Sequence, residues 1–199
     1  MRVARVKVVA NTNPELLCLS LPGEVTIIIL PYPAPRSAFP NAAAPEPSDG
    51  FLTTIRNHLE TRRLVTTNIH VIGPLYKEVK VTCNVFLKKR VSQNEASKNI
   101  NQALADFFDP VLGGPQKGMG WPFGRSAFPS EVSQQIARLP GVDYVTNVAI
   151  NDLEPGARLK LPYNGLPLSG KHAVTIVAFE DRGRLGETGG EGGEGGNCE

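Results

Sequence analysis

The side chains that could perform chemistry are few and stand apart from one another. His58 falls in a predicted helix, His70 inside a predicted strand and His172 at a strand start, and none has a cysteine or carboxylate beside it at metal-ligand spacing. Asp106 and Asp109 flank two phenylalanines near a helix end, where an aspartate before proline is better suited to ending the helix than to acid catalysis. We therefore expect structural or surface roles for these groups and no metal site.

The glycine-rich stretch over 113–125, GGPQKGMGWPFGR, is the one segment that could cradle a phosphate. Walker A requires GxxxxGK[ST] after a strand, but here Lys117 is followed by glycine and methionine, and the stretch follows a predicted helix. The GxGxxG spacing also fails, and Ser126 and Ser130 lack the GxSxG elbow of a serine nucleophile. The chain is thus predicted to be no enzyme and to bind no cofactor.

The net charge and the number of cysteines limit the classes of binding partner and the cellular compartment expected for this chain. Lys plus Arg number 21 against 19 Asp plus Glu, and this net charge of +2 is too small to attract nucleic acid or an anionic membrane. No apolar run is long enough to cross a bilayer, and the N-terminal residues do not form a signal peptide. Three cysteines without CxxC spacing favour a reducing compartment. We expect a cytoplasmic protein that neither binds nucleic acid nor inserts into a membrane.

The first part of the chain, residues 1–73, reads as a strand, strand, helix, strand unit. Strands are predicted over 3–10, 24–30 and 68–72, and Ser48 is placed to cap a helix that runs to about residue 64. Between the second strand and this helix lies a proline-rich stretch, 31–47, which must be an extended loop crossing the surface or a neighbouring subunit. Its large side chains are candidate interface residues: Tyr32, Arg36 and Phe39.

The second part, residues 74–184, repeats the pattern with two helices. Apolar residues alternate over 76–88, which predicts one strand, and the capping-box sequence from Ser92 to Glu95 predicts the start of a helix. After the glycine loop, a second helix begins at Pro129, and strands are predicted over 142–150 and 172–179. The turn-rich segment between these strands, 151–171, is expected to form a hairpin-like excursion.

The order of elements predicts the fold class. Helices alternate with strands that look half solvated, so we expect an α+β protein of two tandem small αβ, ferredoxin-like domains. Their sheets are predicted to be mixed, largely antiparallel and covered by helices. The Gly/Glu-rich residues 185–199 contain almost nothing apolar to bury and are predicted to be a flexible tail.

Trp121, Phe123 and Arg125 stand out in the glycine loop because the chain has no other tryptophan. Tryptophan and arginine are the residue types that concentrate binding energy at protein interfaces, so these three are candidate interface anchors. The alternative is that the two rings fill the edge of the domain's own core.

Several motifs in a fixed order resemble the C-terminal half of the baseplate J-like family, which builds baseplate wedges of contractile phage tails and related injection systems. They are ETRRLVTT with the following HVIGP, FFDPVLGG with GWPFGR, the helix start SEV, and PGVDYV, and the resemblance spans about 3–179. Family members are several times longer and carry an N-terminal half. We expect that half either to be encoded by a separate gene or to be absent from a minimal member.

The resemblance implies a structural wedge component, repeated around a sixfold baseplate, that forms in the cytoplasm and then belongs to the assembled particle. Its implied partners are other wedge subunits, among them a longer baseplate J-like protein, together with sheath-initiating and hub proteins. The alternative is a small non-enzymatic binding module, for peptide or nucleic acid, outside any particle. Against it, the aromatic RNA-binding motif of such sheets has no match in the chain.

Overall fold

The computed structural model describes residues 2–16, 19–32, 44–116, 118–154 and 156–179, and it confirms the α+β class. Its elements in chain order are β1 (Val3–Ala10), β2 (Glu24–Pro31), α1 (Asp49–Glu60), β3 (Asn68–Ile72), β4 (Leu75–Val79), β5 (Val81–Leu87), α2 (Gln93–Phe107), α3 (Pro129–Ala137), β6 (Val142–Ile150), β7 (Gly165–Ser169) and β8 (Ala173–Val177). The expected tail and the candidate residues Arg36 and Phe39 lie outside the described residues.

The first sheet has the order β1-β2-β3 and is built by the first part of the chain. β1 runs antiparallel to β2, and β3 runs parallel to β2 after the connection through α1. The side chains of Arg5 and Lys7 are partly buried, whereas Val6 and Val8 between and beyond them are exposed, as alternation along a strand requires. One face of β1 therefore directs its cations toward the rest of the protein.

The remaining strands form a three-stranded sheet, β6-β5-β8, and a separate pair, β4-β7. The mixed sheets are confirmed, but the expectation that they would be largely antiparallel is wrong: β2-β3, β4-β7 and β5-β8 are parallel, and β1-β2 and β5-β6 are antiparallel. Parallel neighbours need a long crossover connection, and here α1 lies in one such connection and α2 and α3 lie in others.

The single strand expected over 76–88 is two strands, β4 and β5, which belong to different sheets. At Lys80 between them the backbone N–H donates to Asn151 Oδ1 at 2.6 Å, and Asn151 Nδ2 donates to the Glu78 carbonyl at 2.9 Å. The asparagine side chain thus satisfies backbone groups where the chain changes sheets. The alternation of buried and exposed side chains continues through this change of sheet, because Val79 and Val81 are both fully buried.

Three other local expectations need correction. The segment 151–171 contains β7, which pairs in parallel with β4 and is no hairpin. Ser92 occupies the N-cap of α2, but its side chain makes no capping hydrogen bond.

Helix α1 begins as expected, with Ser48 Oγ accepting from the Phe51 N–H at 3.4 Å, yet it ends at Glu60, where Thr61 caps it. At this end of the helix the His58 carbonyl accepts a hydrogen bond from the Arg62 side chain.

A cluster of buried side chains spans both parts of the chain. It joins Ile28 and Leu30 of β2 to the inner faces of β5, α2 and α3 and to Trp121. Helix α2 contributes the stripe that its period predicts, Ala96, Ile100, Leu104 and Phe107. The boundary near residue 73 remains a prediction, and the packing shows that the two parts bury apolar surface against each other. No helix among the described residues is both long and apolar enough to span a membrane.

Candidate assembly surface around the glycine loop

The loop over 113–125 is shaped by hydrogen bonds to the end of α2. The Gly114 N–H donates to the Phe107 carbonyl at 2.7 Å, and the Asp109 carboxylate accepts from the N–H groups of Val111 and Leu112 at 2.7 and 2.8 Å. Asp109 therefore terminates the helix region, as expected. Gly120 has φ +71°, a conformation that side chains rarely adopt, so the turn before Trp121 depends on glycine.

Trp121 is fully buried, with none of its surface exposed. Its ring meets Phe107 edge-on at 5.4 Å between centroids and lies 5.7 Å from Phe108. The indole N–H donates to the Arg125 carbonyl at 3.0 Å, which satisfies its polar atom. This placement favours the core alternative for Trp121.

Phe123 and Arg125 lie beside Trp121. Phe123 is 8% exposed. The Arg125 guanidinium lies 5.6 Å from the Trp121 ring centre and forms a bidentate ion pair with Glu131 at the start of α3. The structure thus brings together the three candidates of the glycine loop, and their contacts in this chain are internal. Their role at an interface stays a prediction.

Two cations of β1, Arg5 and Lys7, donate hydrogen bonds to backbone carbonyls of this loop. The sequence analysis did not identify them as site residues. Arg5 Nη1 donates to the carbonyls of Pro110 at 2.7 Å and Trp121 at 2.8 Å, and its guanidinium lies 5.2 Å from the centre of the Phe123 ring. Lys7 Nζ donates to the Phe123 carbonyl at 3.0 Å. Burial lowers the pKa of Arg5. In the sequence, the only sign of this role is that Arg5 and Lys7 alternate with valines along the predicted strand, which places both cations on one face.

Arg5→Met should lower the free energy of unfolding by about 2 kcal/mol, because two buried carbonyls lose a charged donor while the aliphatic stem is kept. Urea denaturation of the isolated chain measures this change. Arg56→Met, at an exposed position on α1, is the matched control and should stay within about 0.5 kcal/mol of the unmodified chain. Equal midpoints for the two variants would show that Arg5 does not hold the loop.

A groove of about 700 Å³ lies beside the glycine loop, between α2, α3 and Tyr32. Its apolar lining includes Phe107, Val111 and Leu139, and its polar lining consists of Asp106, Asp109, Gln135 and Arg138. Tyr32 is 50% exposed, and Leu112 at the edge of the groove is 63% exposed. Of the candidate interface residues that the structure describes, Tyr32 is therefore the one with a largely accessible side chain, and it borders a concave apolar surface.

Ser169 and His172 form a pair that resembles a nucleophile and its base, since Ser169 Oγ lies 2.9 Å from His172 Nε2. However, the Val81 N–H donates to His172 Nδ1 at 3.1 Å, so Nδ1 carries no proton in the neutral ring. The ring proton is then on Nε2, which donates to the serine oxygen. A histidine in this tautomer cannot accept the serine proton through Nε2, so the pair stabilises the β7-β8 connection and does not activate a nucleophile.

His172 should make the protein less stable in mild acid. Burial lowers the pKa of His172 below its ordinary 6.5, so the unfolded chain binds the proton first. The contribution of neutral His172 to the free energy of unfolding is complete above about pH 6.5. It decreases as the pH falls below that value and becomes constant below the folded-state pKa of His172. We expect His172→Asn, whose amide oxygen can accept from Val81, to show a smaller loss of urea midpoint between neutral pH and pH about 5. His58 and His70 are present in both proteins, so the comparison isolates the contribution of His172. An unchanged loss would contradict the assignment.

Glu24 and Cys83 also have shifted pKa values with local structural causes. His70 forms a short contact with the Glu24 carboxylate, whose pKa is lowered first by the hydrogen bond from Asn68 and then by His70. Burial raises the pKa of the Cys83 thiol to about 11, so this cysteine is protonated at neutral pH. Within the described part of the chain, no three histidine, cysteine or acidic side chains are grouped as a metal site.

Comparisons with known proteins yield a likeness of fold. No protein-family model matches the chain, and no curated protein matches it. The fold is similar to that of a chain in the cryo-EM structure of the anti-feeding prophage (AFP) baseplate, 6-fold symmetrised, with a TM-score of 0.58 and 13% sequence identity. The match covers 85% of the present chain but only 34% of the baseplate chain, so the protein spans about a third of that neighbour.

Proposed function

We propose that this chain is a structural, non-enzymatic component of the baseplate of a contractile injection system or phage-tail-like particle. The observation that carries the proposal is the fold likeness to a baseplate chain over 85% of the sequence. The ordered motifs that resemble the baseplate J-like family support it independently, because they are a property of the sequence and not of the fold. A fold alone does not imply a function, so the two observations are needed together.

The finer proposal is a wedge component that corresponds to the C-terminal half of a baseplate J-like protein. Its partners are then other wedge subunits, sheath-initiating proteins and hub proteins arranged around the sixfold axis, and the protein passes from the cytoplasm into the finished particle. The non-enzymatic role is supported by the tautomer of His172, which leaves the Ser169 pair without a base.

Purification of intact particles from the organism that encodes this chain tests the proposal. Mass spectrometry should detect the chain in the particles, and cryo-EM should place its αβ fold in the baseplate at a copy number that is a multiple of six. A particle whose baseplate is complete without the chain would overturn the proposal. Deletion of the gene should leave tubes or sheaths without a functional baseplate.

A further inference from the structure

Two exposed aliphatic side chains project from the connection between α1 and β3. Leu64 is 74% exposed and Val65 is 96% exposed, the highest values among the large apolar residues of the described chain. We call this pair the knob. Isolated apolar residues at a surface are ordinary, but two adjacent ones at these exposures form a projecting apolar contact.

The knob is held in shape by Arg63. Its Nη1 donates to the Thr67 carbonyl at 2.9 Å and to those of Leu64 and Val65 at 3.3 and 3.4 Å, while its Nε contacts the Glu60 carboxylate. The Thr67 N–H closes the turn on the Leu64 carbonyl at 3.0 Å. A loop that is already ordered loses little conformational entropy on binding, which is the property expected of a contact surface.

The chain segment that carries the knob and the groove beside the glycine loop have net charges of opposite sign. Between residues 56 and 67 there are three arginines, Arg56, Arg62 and Arg63, against one acidic residue, Glu60. The groove has the opposite balance, with Asp106 and Asp109 against Arg138. Its volume of about 700 Å³ and its apolar lining can receive two aliphatic side chains.

We infer that the knob of one copy of this chain inserts into the groove of the next copy. The two surfaces belong to different parts of the chain, so the contact is head-to-tail, and repetition of such a contact closes a ring when the rotation allows. The inference rests on the proposed function, since a symmetric baseplate supplies the high local concentration that a small contact needs.

Site-specific photo-crosslinking in assembled particles tests the inference. The photoreactive amino acid p-benzoylphenylalanine replaces Val65, and mixed 15N-labelled and unlabelled chains distinguish copy-to-copy products from internal ones. Crosslinks should join position 65 to groove peptides from α2, residues 109–115 or α3 of another copy. The same amino acid in place of Leu153, an exposed residue after β6, is the control and should give no groove product.

Two variants show whether the contact is head-to-tail. Val65→Asp removes the knob and should lower the self-association of concentrated protein at least about tenfold. Leu112→Arg obstructs the groove and should lower both that self-association and the groove crosslink from position 65 by a similar factor. Mixed together they should restore one contact and give a dimer with no larger species, because the first retains its groove and the second its knob. Both positions are exposed, so thermal denaturation should match the unmodified chain.

The outcomes separate the inference from the proposed function. Crosslinks from position 65 to a different protein, or within one copy, would overturn the copy-to-copy contact while leaving a baseplate role intact. Absence of any copy-to-copy product in particles that contain the chain would overturn it as well. Absence of the unmodified chain from the particles would instead remove the proposed function, and with it the ring contact.

Discussion

Trp121→Ala lowers the free energy of unfolding of the isolated chain by about 3–5 kcal/mol in our expectation, the range for truncating a large buried aromatic side chain. The ring has no exposed surface, packs against both Phe107 and Phe108, and donates its N–H to the Arg125 carbonyl. Truncation therefore leaves a cavity and an unpaired carbonyl in one step. Urea denaturation at neutral pH measures the loss.

Met119→Ala is the matched control in the same loop. Met119 is 68% exposed, so its truncation should change the free energy of unfolding by no more than about 0.5 kcal/mol. If Trp121→Ala instead folds with unchanged stability but fails to enter particles, Trp121 is an interface anchor and its internal packing is dispensable. That result would reverse the core assignment that the structure favours.

Gly120→Ala should destabilise the chain by at least about 3 kcal/mol, since a side chain there combines backbone strain with overpacking. The backbone has φ +71°, and a Cβ would lie 2.6 Å from the carbonyl oxygens of Pro110 and Val111 and 2.5 Å from Arg5 Nη1. The Arg5 side chain can move away, but the two backbone carbonyls cannot. The substitution should therefore displace the loop and break the Arg5 hydrogen bonds with it.

Gly118→Ala separates the two causes. Gly118 has φ +88°, yet a Cβ there would meet nothing within 4 Å. Only the backbone term remains, so the expected loss is about 1 kcal/mol. Thermal and urea denaturation of both variants measure the difference. Similar losses at the two positions would show that the loop adapts around Gly120 and that its close approach to Pro110 is not rigid.

Local patterns were sufficient to predict most of the elements. Strands were predicted at the positions of β1, β2, β3 and β6, with β2 identified from its β-branched residues. The 3.6-residue period predicted the buried stripe of α2, and Ser48 was identified as a helix cap. These features depend on neighbours a few residues apart, which the sequence displays directly. The change of sheet at Lys80 was not predictable in this way, because an asparagine from position 151 supplies the hydrogen bonds there.

The candidate site shows the same contrast between what local sequence features predict and what tertiary packing decides. Residue type alone made Trp121, Phe123, Arg125 and Tyr32 candidate interface residues. The order of the motifs indicated the resemblance to a baseplate family. Whether a side chain is buried or accessible depends on what packs over it. Arg5, more than a hundred positions away in the chain, holds the carbonyls of Pro110 and Trp121, whereas Tyr32 remains half exposed beside the groove.

The sequence by itself therefore determined the α+β class, the elements with strong periodicity, and the scarcity of groups that could perform chemistry. Only the tertiary structure decided that Trp121 is internal, that β4 and β5 belong to different sheets, and that the knob and groove occupy separate surfaces. The physical reason is that periodicity and turn chemistry act over a few residues, whereas burial and strand pairing depend on contacts between distant segments that no local pattern records.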